Sequence, residues 1–262
     1  MKLLYGWPKY LKKNPFHYCP GCGHSIIHRQ IAELLEEMNL AHKTISIAPA
    51  GCAVLAYNYW DFDCVEAPHG RGAAVATGIK RCLPDRLVIS YQGDGDLAAI
   101  GTAETIHAAN RGERVTVIFI NNANYGMTGG QMAPTTILDQ YTTTTPEGRN
   151  ARMHGFPVHI SDLVAMLPGV AYIERVAISS PKGIRSAKKA IKNAFETQIN
   201  DEGFSLIEVL SPCPTNWKKT PADSWKWIND VLVDEFPPGV LVDRRRRKDK
   251  KRSGKKGKKN AD

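Results

Sequence analysis

The chain has 262 residues, 42% of them hydrophobic, which is enough for one sizeable core. Its net charge of +9 is not spread over the fold: residues 244–262 hold 12 Lys and Arg against two acids, leaving the body at −1. A nucleic-acid-binding fold would carry its basic residues across one face, so that class is disfavoured; residues 239–262 are predicted to be a disordered, solvated basic tail, with contact to an acidic partner, or loosely to nucleic acid, as the sharper alternatives.

Residues 1–18 form an aromatic arm with Pro and Lys (Trp7, Tyr10, Phe16), predicted to wrap over the body or a neighbour. Gly23 to Met38 places Ile27, Ile31, Leu34, Leu35 and Met38 at helical spacing. Thr44 to Ala48 reads as a strand ending at Pro49-Ala50-Gly51-Cys52, and Gly70 to Arg81 as a helix of small residues. Leu87 to Tyr91 and Val115 to Ile120 are β-branched and aromatic runs, the pattern of strands buried on both faces. Leu97 to Arg111 reads as the crossover helix between them. Residues 123–160, rich in Gly, Thr, Met and Pro, form an irregular stretch long enough to suggest a functional loop. A short helix at Ser161 to Leu167 and a strand at Ala171 to Ala177 follow. Ser180-Pro181 then opens a helix as N-cap and first turn. Phe204 to Leu210 is a last strand, ending at Ser211-Pro212-Cys213-Pro214, and Ala222 to Val233 a last helix. The alternation predicts an α/β fold, a mostly parallel sheet with helices on both faces.

No run of 18 apolar residues and no signal segment is visible, which predicts a cytoplasmic protein without membrane contact. Six cysteines in a reducing compartment argue for metal or redox use and against a disulfide framework.

Two motifs carry chemistry. Gly93-Asp94-Gly95-Asp96 ends one buried strand and Asn121-Asn122 the next, and ligands of open α/β sheets bind at such ends. The crossover helix starts there too, and its free N–H groups suit a phosphate. Asp94 offers a carboxylate oxygen and the Asn pair carbonyl oxygens, which are ligands for a Mg²⁺ that also holds diphosphate. A lone Gly-Asp-Gly is usually a turn. In the order strand, Gly-Asp-Gly, helix, strand, Asn-Asn, it resembles the thiamine diphosphate signature.

The second motif is Cys19-Pro20-Gly21-Cys22, which alone is ambiguous among zinc, disulfide and iron–sulfur chemistry. Cys52 and Cys213 each follow a predicted strand and so reach the same sheet edge. Four thiolates from three loops suit either Zn²⁺ or a [4Fe–4S] cluster. A structural zinc serves a module without a core, which this is not; a cluster beside a thiamine site would carry electrons away. Cys64 and Cys82, among apolar neighbours, are expected to be buried small hydrophobes.

Cys19 to His24, Gly51-Cys52, His69-Gly70-Arg71, Gly93 to Asp96, Asn121 to Gln131 and Ser211 to Thr215 together resemble the β subunit of the 2-oxoacid:ferredoxin oxidoreductases, across residues 15–238. The resemblance implies a thiamine diphosphate-binding domain over residues 19–238 that also carries the iron–sulfur site. It implies Cys19, Cys22, Cys52 and Cys213 as cluster ligands, and Asp94, the Asn122 side chain and the Asn124 carbonyl as Mg²⁺ ligands. Gly93, Gly95 and Asp96 match the diphosphate loop, and Gly51, His69 and Gly70 match residues lining the cofactor. Tyr125, Gly126, Met127 and Thr128 match the loop over its ring and the substrate. His69 and Thr128 are the implied catalytic contacts.

The implied reaction is coenzyme A-dependent oxidative decarboxylation of a 2-oxo acid, with electrons leaving through the cluster to ferredoxin. In that family the Glu that activates the cofactor belongs to the α subunit, so no Glu here is given that role; γ and δ subunits are further implied partners. Members acting on 2-oxoglutarate often carry Lys where this chain has Gly129-Gly130. Cys213 to Lys218 with Thr220-Pro221 resembles the 2-oxoisovalerate type, with pyruvate also open. Two alternatives compete. The four cysteines speak against a non-oxidative thiamine diphosphate-dependent decarboxylase, and the body's charge against a zinc-stabilised nucleic-acid-binding protein.

Overall fold

A computed structural model of the chain describes residues 6–245; residues 1–5 and 246–262 lie outside the described residues. Seven strands build one sheet: β1 (Thr44–Ala48), β2 (Asp63–Glu66), β3 (Leu87–Gly93), β4 (Thr116–Asn121), β5 (Val170–Ala177), β6 (Phe204–Leu210) and β7 (Gly239–Asp243). Their order is β2-β1-β3-β4-β6-β5-β7, parallel throughout except for β7, which pairs antiparallel with β5. Every residue of β1, β4 and β6 is buried, because helices cover both faces.

One face packs against α1 (His24–Glu37) and α6 (Pro181–Ile199), through Ile27, Ile31, Leu35, Ile191 and Phe195. The Ser180 hydroxyl caps α6 by accepting from the Gly183 N–H at 3.1 Å, with Pro181 in the first turn, as the sequence predicts. The described part of the N-terminal arm, from residue 6, lies on this face as well, with Leu11 bridged to Trp60 and Phe16 and Tyr18 packed in the cluster. The other face packs against α2 (Gly72–Cys82), α3 (Thr102–Asn110) and, after the single turn α4 (Ala151–His154), α5 (Ile160–Ala165). Gly72, Ala73 and Ala76 of α2 are buried, so their lack of bulk lets that helix approach the sheet closely. Among the described residues no helix is long and apolar enough to cross a membrane.

The structure corrects four expectations. Residues 239–245 are not tail: β7 extends the sheet, Val242 is buried, and the Arg244 guanidinium donates to the carbonyls of Leu167 and Val170. Arg245 pairs with Asp243 and stacks over the Tyr172 ring, so two arginines counted with the basic run hold the sheet edge instead. β2 was not foreseen; as an exposed edge strand it lacks an apolar signature. The crossover helix begins in a π-turn at Asp96–Ile100, before α3; after the single turn α7 (Pro214–Trp217) the last helix is broken by another at Ile228–Leu232, between α8 (Pro221–Trp227) and a short closing turn. Cys82 is exposed at the end of α2 and Cys64 half-buried, not core residues.

Candidate functional site

A cavity of about 180 Å³ opens at the carboxyl ends of β1, β3 and β4. Gly51 and Cys52 from beyond β1, Gly93 to Asp96 from β3 and its helix, and Asn122 and Asn124 from beyond β4 line it. His69 and the loop Tyr125, Gly126, Met127 and Thr128 complete the lining with Ala99 and Ile100. Gly70 stands behind it, its N–H donating to Asp96 at 2.8 Å.

Asp94 is the centre of this geometry. Its carboxylate accepts from the Thr135 hydroxyl at 2.7 Å and from the N–H groups of Asn124 at 3.1 Å and Asn122 at 3.3 Å. Burial outweighs these donors and pushes its pKa up to about 7. A carboxylate so desolvated is one that a bound cation would keep charged. The Asn122 carbonyl takes the Trp217 indole N–H at 3.1 Å, while its side-chain amide, in the lining, has no protein partner among the described residues. The Asn124 amide is turned away, donating to the Asn122 carbonyl at 2.7 Å. A buried carboxylate, an unengaged amide oxygen and a helix N-terminus in one cavity form a hard-oxygen, anion-accepting set that fits a Mg²⁺–diphosphate pair.

Asp96 has a different task. Its carboxylate accepts from His69 Nδ1 and the Gly70 N–H, both at 2.8 Å, and from the Gln92 amide at 2.6 Å. All of its capacity goes to the protein, so it fixes the loop and orients His69. With the Nδ1 proton held by Asp96, a neutral His69 presents a bare Nε2. The Thr128 hydroxyl donates to Gln131 Oε1 at 2.5 Å, and the Gln131 amide returns a bond to the Thr128 carbonyl, so this loop closes on itself.

The four motif cysteines come together beside this loop. A Cβ at Gly126 would lie 2.9 Å from Cys52 Sγ, and Cys213 Sγ stands 3.7 Å from the Asn124 amide oxygen. The Asn216 amide joins the two regions, donating to the Gly126 carbonyl at 2.8 Å and to Cys213 Sγ at 3.4 Å. Burial pushes the thiols of Cys22 and Cys52 up to about 12; Cys213 and Cys19 add to both through mutual repulsion of thiolates. Burial also raises Cys213. Among the described residues no group of three or more His, Cys, Asp and Glu is spaced to hold a single metal ion. A four-iron cluster binds each thiolate at a separate iron and needs no common point.

The family described as thiamine pyrophosphate enzyme, C-terminal TPP binding domain, matches residues 50–209. The 2-oxoglutarate synthase subunit KorB of Methanocaldococcus jannaschii is 37% identical, over 86% of this chain and 82% of its own length. The chain belongs to the thiamine pyrophosphate-binding subunits of the 2-oxoacid:ferredoxin oxidoreductases. The ketoisovalerate oxidoreductase subunit VorA of Methanothermobacter thermautotrophicus is 49% identical over 87% of this chain, but only 48% of that relative is covered. The chain thus spans about half the length of the VorA relatives it matches. A 2-oxoglutarate:ferredoxin oxidoreductase from Magnetococcus marinus, solved with 2-oxoglutarate, coenzyme A and succinyl-CoA bound, superposes with a TM-score of 0.77 at 27% identity. That match covers 92% of this chain and 86% of the other.

Several site residues carry no local signal in the sequence. Thr135 lies in the irregular stretch, 41 residues beyond the Asp94 it bonds, and Asn216, although inside the Cys213 to Lys218 motif, has no signal there for its bonds to Gly126 and Cys213. Gln92, two residues before Asp94, could have been suspected as a polar residue inside a buried strand. Gly93 offers a direct test of the cavity, because a Cβ there meets nothing within 4 Å. Gly93→Ala is expected to leave stability within about 0.5 kcal/mol of the parent. Thiamine diphosphate binding should weaken roughly tenfold or more, measured by calorimetry, because the methyl group fills space the diphosphate needs.

Proposed function

We propose that this chain is the thiamine diphosphate- and cluster-binding β subunit of a multi-subunit 2-oxoacid:ferredoxin oxidoreductase, forming acyl-coenzyme A from a 2-oxo acid. The observation that carries this reading is the contact between the cavity loop and two of the four cysteines, through Gly126, Asn124 and Asn216. In a non-oxidative thiamine enzyme nothing would require thiols there. Thiamine diphosphate, when bound, supplies the electron sink that lets CO₂ leave.

The chain's own residues bind, orient and connect. Asp94, the Asn122 side chain and the Asn124 carbonyl would hold Mg²⁺, and Gly93 and Gly95 leave room for the diphosphate. Asp96 and Gln92 stiffen the loop beneath it and fix the His69 tautomer, so that His69 can accept a hydrogen bond within the cavity. Cys19, Cys22, Cys52 and Cys213 would hold a [4Fe–4S] cluster as the electron outlet to ferredoxin. The activating carboxylate and the rest of the pocket would come from an α subunit, so catalysis belongs to the assembly. Further γ and δ subunits are compatible with this reading.

A branched-chain 2-oxo acid such as 2-oxoisovalerate is the favoured substrate. Met127 and Ile100 at the cavity are exposed apolar side chains, and Gly129-Gly130 supply no cation for a distal carboxylate. Higher identity to the ketoisovalerate relatives than to the 2-oxoglutarate ones points the same way. The test is a substrate panel on the purified assembly, following reduction of ferredoxin in the presence of coenzyme A. Turnover should favour 2-oxoisovalerate over pyruvate and 2-oxoglutarate, and this chain alone should show none. Preference for 2-oxoglutarate would overturn the substrate assignment, and full turnover by the isolated chain would overturn the half-site.

A further inference from the structure

Three polar side chains lie side by side within the sheet, where apolar ones would be expected. Asn121 ends β4, Arg175 is on β5 and Glu208 on β6 between them, and none is more than 2% exposed. Glu208 pairs with Arg175 in register across the β5–β6 ladder. Its Oε2 accepts from Arg175 Nε at 2.7 Å and its Oε1 from the Asn121 amide at 2.7 Å. Arg175 is tied beyond to Asp162 and, at 3.2 Å, to the Pro237 carbonyl. With its amide nitrogen committed, Asn121 turns its carbonyl oxygen to the N–H of Ala123 at 3.1 Å.

Ala123 has φ of +55°, the left-handed conformation that a residue with a Cβ adopts at a cost. Its carbonyl is gripped from the opposite side by the Thr136 hydroxyl at 2.7 Å and the Gln140 amide at 3.0 Å. The kink is what lets the N–H groups of both Asn122 and Asn124, on either side of it, reach the Asp94 carboxylate. A buried ion pair is weak support for stability alone, since well-packed apolar residues often do as well. It does supply direction: a carboxylate here has two acceptor oxygens facing two donors.

We infer that Glu208 is a positioning residue for the cofactor site: through Asn121 it clamps the Asn122-Ala123-Asn124 turn in the shape that presents the Mg²⁺ donors, with Thr136 closing the clamp from the other side. The inference rests on the reading of that turn as part of a Mg²⁺–diphosphate site. Glu208→Gln keeps the volume but replaces one acceptor with an N–H₂ group facing either Arg175 or Asn121, both donors. Thr136→Val removes one of the two donors on the Ala123 carbonyl, leaving the Gln140 amide, takes the acceptor from the Ala133 N–H, and leaves every buried charge paired.

The experiment titrates Mg²⁺ into the full assembly, purified through a tag on this chain, with thiamine diphosphate present. The part of the tryptophan fluorescence change that Trp217→Phe removes reports the turn, because the Trp217 indole donates to the Asn122 carbonyl. Each variant is expected to raise the Mg²⁺ concentration for half-saturation about tenfold, as loss of an outer-shell partner does. A purely structural role would lower the melting temperature and leave that concentration where it was. Unchanged half-saturation in Glu208→Gln overturns the inference whatever Thr136→Val does; if Glu208→Gln fails to fold, Asn121→Ala, which cuts the Asn121 link between Glu208 and the turn, decides it in its place. Wild-type protein that binds thiamine diphosphate without regard to Mg²⁺ overturns the site reading itself, and the inference with it.

Discussion

Asp94→Asn is expected to stabilise the cofactor-free chain at pH 8 and to abolish its Mg²⁺-dependent use of thiamine diphosphate. Burial holds the Asp94 pKa at about 7 in the folded chain, against 3.8 for the free side chain. Between those values the folded state keeps a proton that the unfolded state has lost. Stability therefore falls as pH rises through that window, and the whole penalty, on the order of a few kcal/mol, is present above pH 7. Asparagine carries no charge to desolvate, although its N–H₂ group must avoid the N–H donors of Asn122 and Asn124, which takes back part of the gain. Thermal melts of both proteins at pH 5 and pH 8, without metal or cofactor, check this: the variant's advantage should appear or grow at pH 8. The comparison between variants is needed because His24 and His28 tilt the parent profile the other way. Burial depresses His24 to about 3 and His28 well below its ordinary value, so the stability of their neutral forms is present above about pH 6.5 and lost on acidification. A variant that gains nothing at pH 8 would remove Asp94 as the strained group. One that still binds thiamine diphosphate in a Mg²⁺-dependent way would remove it as a ligand. A residue that destabilises the empty chain and is required by the loaded one shows function held at a cost in stability.

The residues that made this site legible are those whose chemistry is local. Gly93 to Asp96 and Asn122 to Thr128 are contiguous, each adjoins a strand whose apolar run is unmistakable, and all but Ala123 line the cavity. The strands themselves followed from burial: β1 and β6 have the predicted bounds, while β3 and β4 run on to Gly93 and Asn121 because ladder hydrogen bonds continue past the apolar residues. What sequence spacing could not show depends on partners brought from elsewhere. Thr135 and Glu208 reach the site from separate elements, and nothing in their own neighbourhoods distinguishes them; Asn216 stands in a recognisable motif, but its bonds to Gly126 and Cys213 come only from the fold. β2 and β7 stayed hidden for a related reason, since an edge strand needs only one covered face. Cys82 misled in the opposite sense: its apolar neighbours, such as Leu83, are themselves exposed at the helix end.

Serine at Cys19, Cys22, Cys52 or Cys213 is expected to remove about four iron and four sulfide per chain from the anaerobically purified assembly, whereas Cys64→Ser and Cys82→Ser keep them. A raised thiol pKa does not by itself separate these groups, because burial pushes Cys64 up to about 12 just as it does Cys22 and Cys52. What separates them is company. The Cys22 thiolate is opposed by Cys213, Cys52 and Cys19, while Cys64 has Lys12 and Asp63 for charged neighbours. Thiols that must ionise together against burial and against one another stay protonated and inert at neutral pH unless a cationic centre takes them all. Counting iron as a difference between variant and parent keeps any cluster on another subunit out of the result. Iron unchanged in Cys22→Ser and Cys213→Ser, or stoichiometric zinc in the parent, would remove the cluster from this chain. The same variants should split the reaction. Asp94, Asn122 and the glycine loop are untouched, so thiamine diphosphate should still bind and CO₂ still leave in a single turnover, while ferredoxin reduction is lost. That split follows from the geometry: Cys52 lines the cavity and Asn124 and Asn216 join it to Cys213, while Asp94 takes its hydrogen bonds from Thr135, Asn122 and Asn124 and from no cysteine.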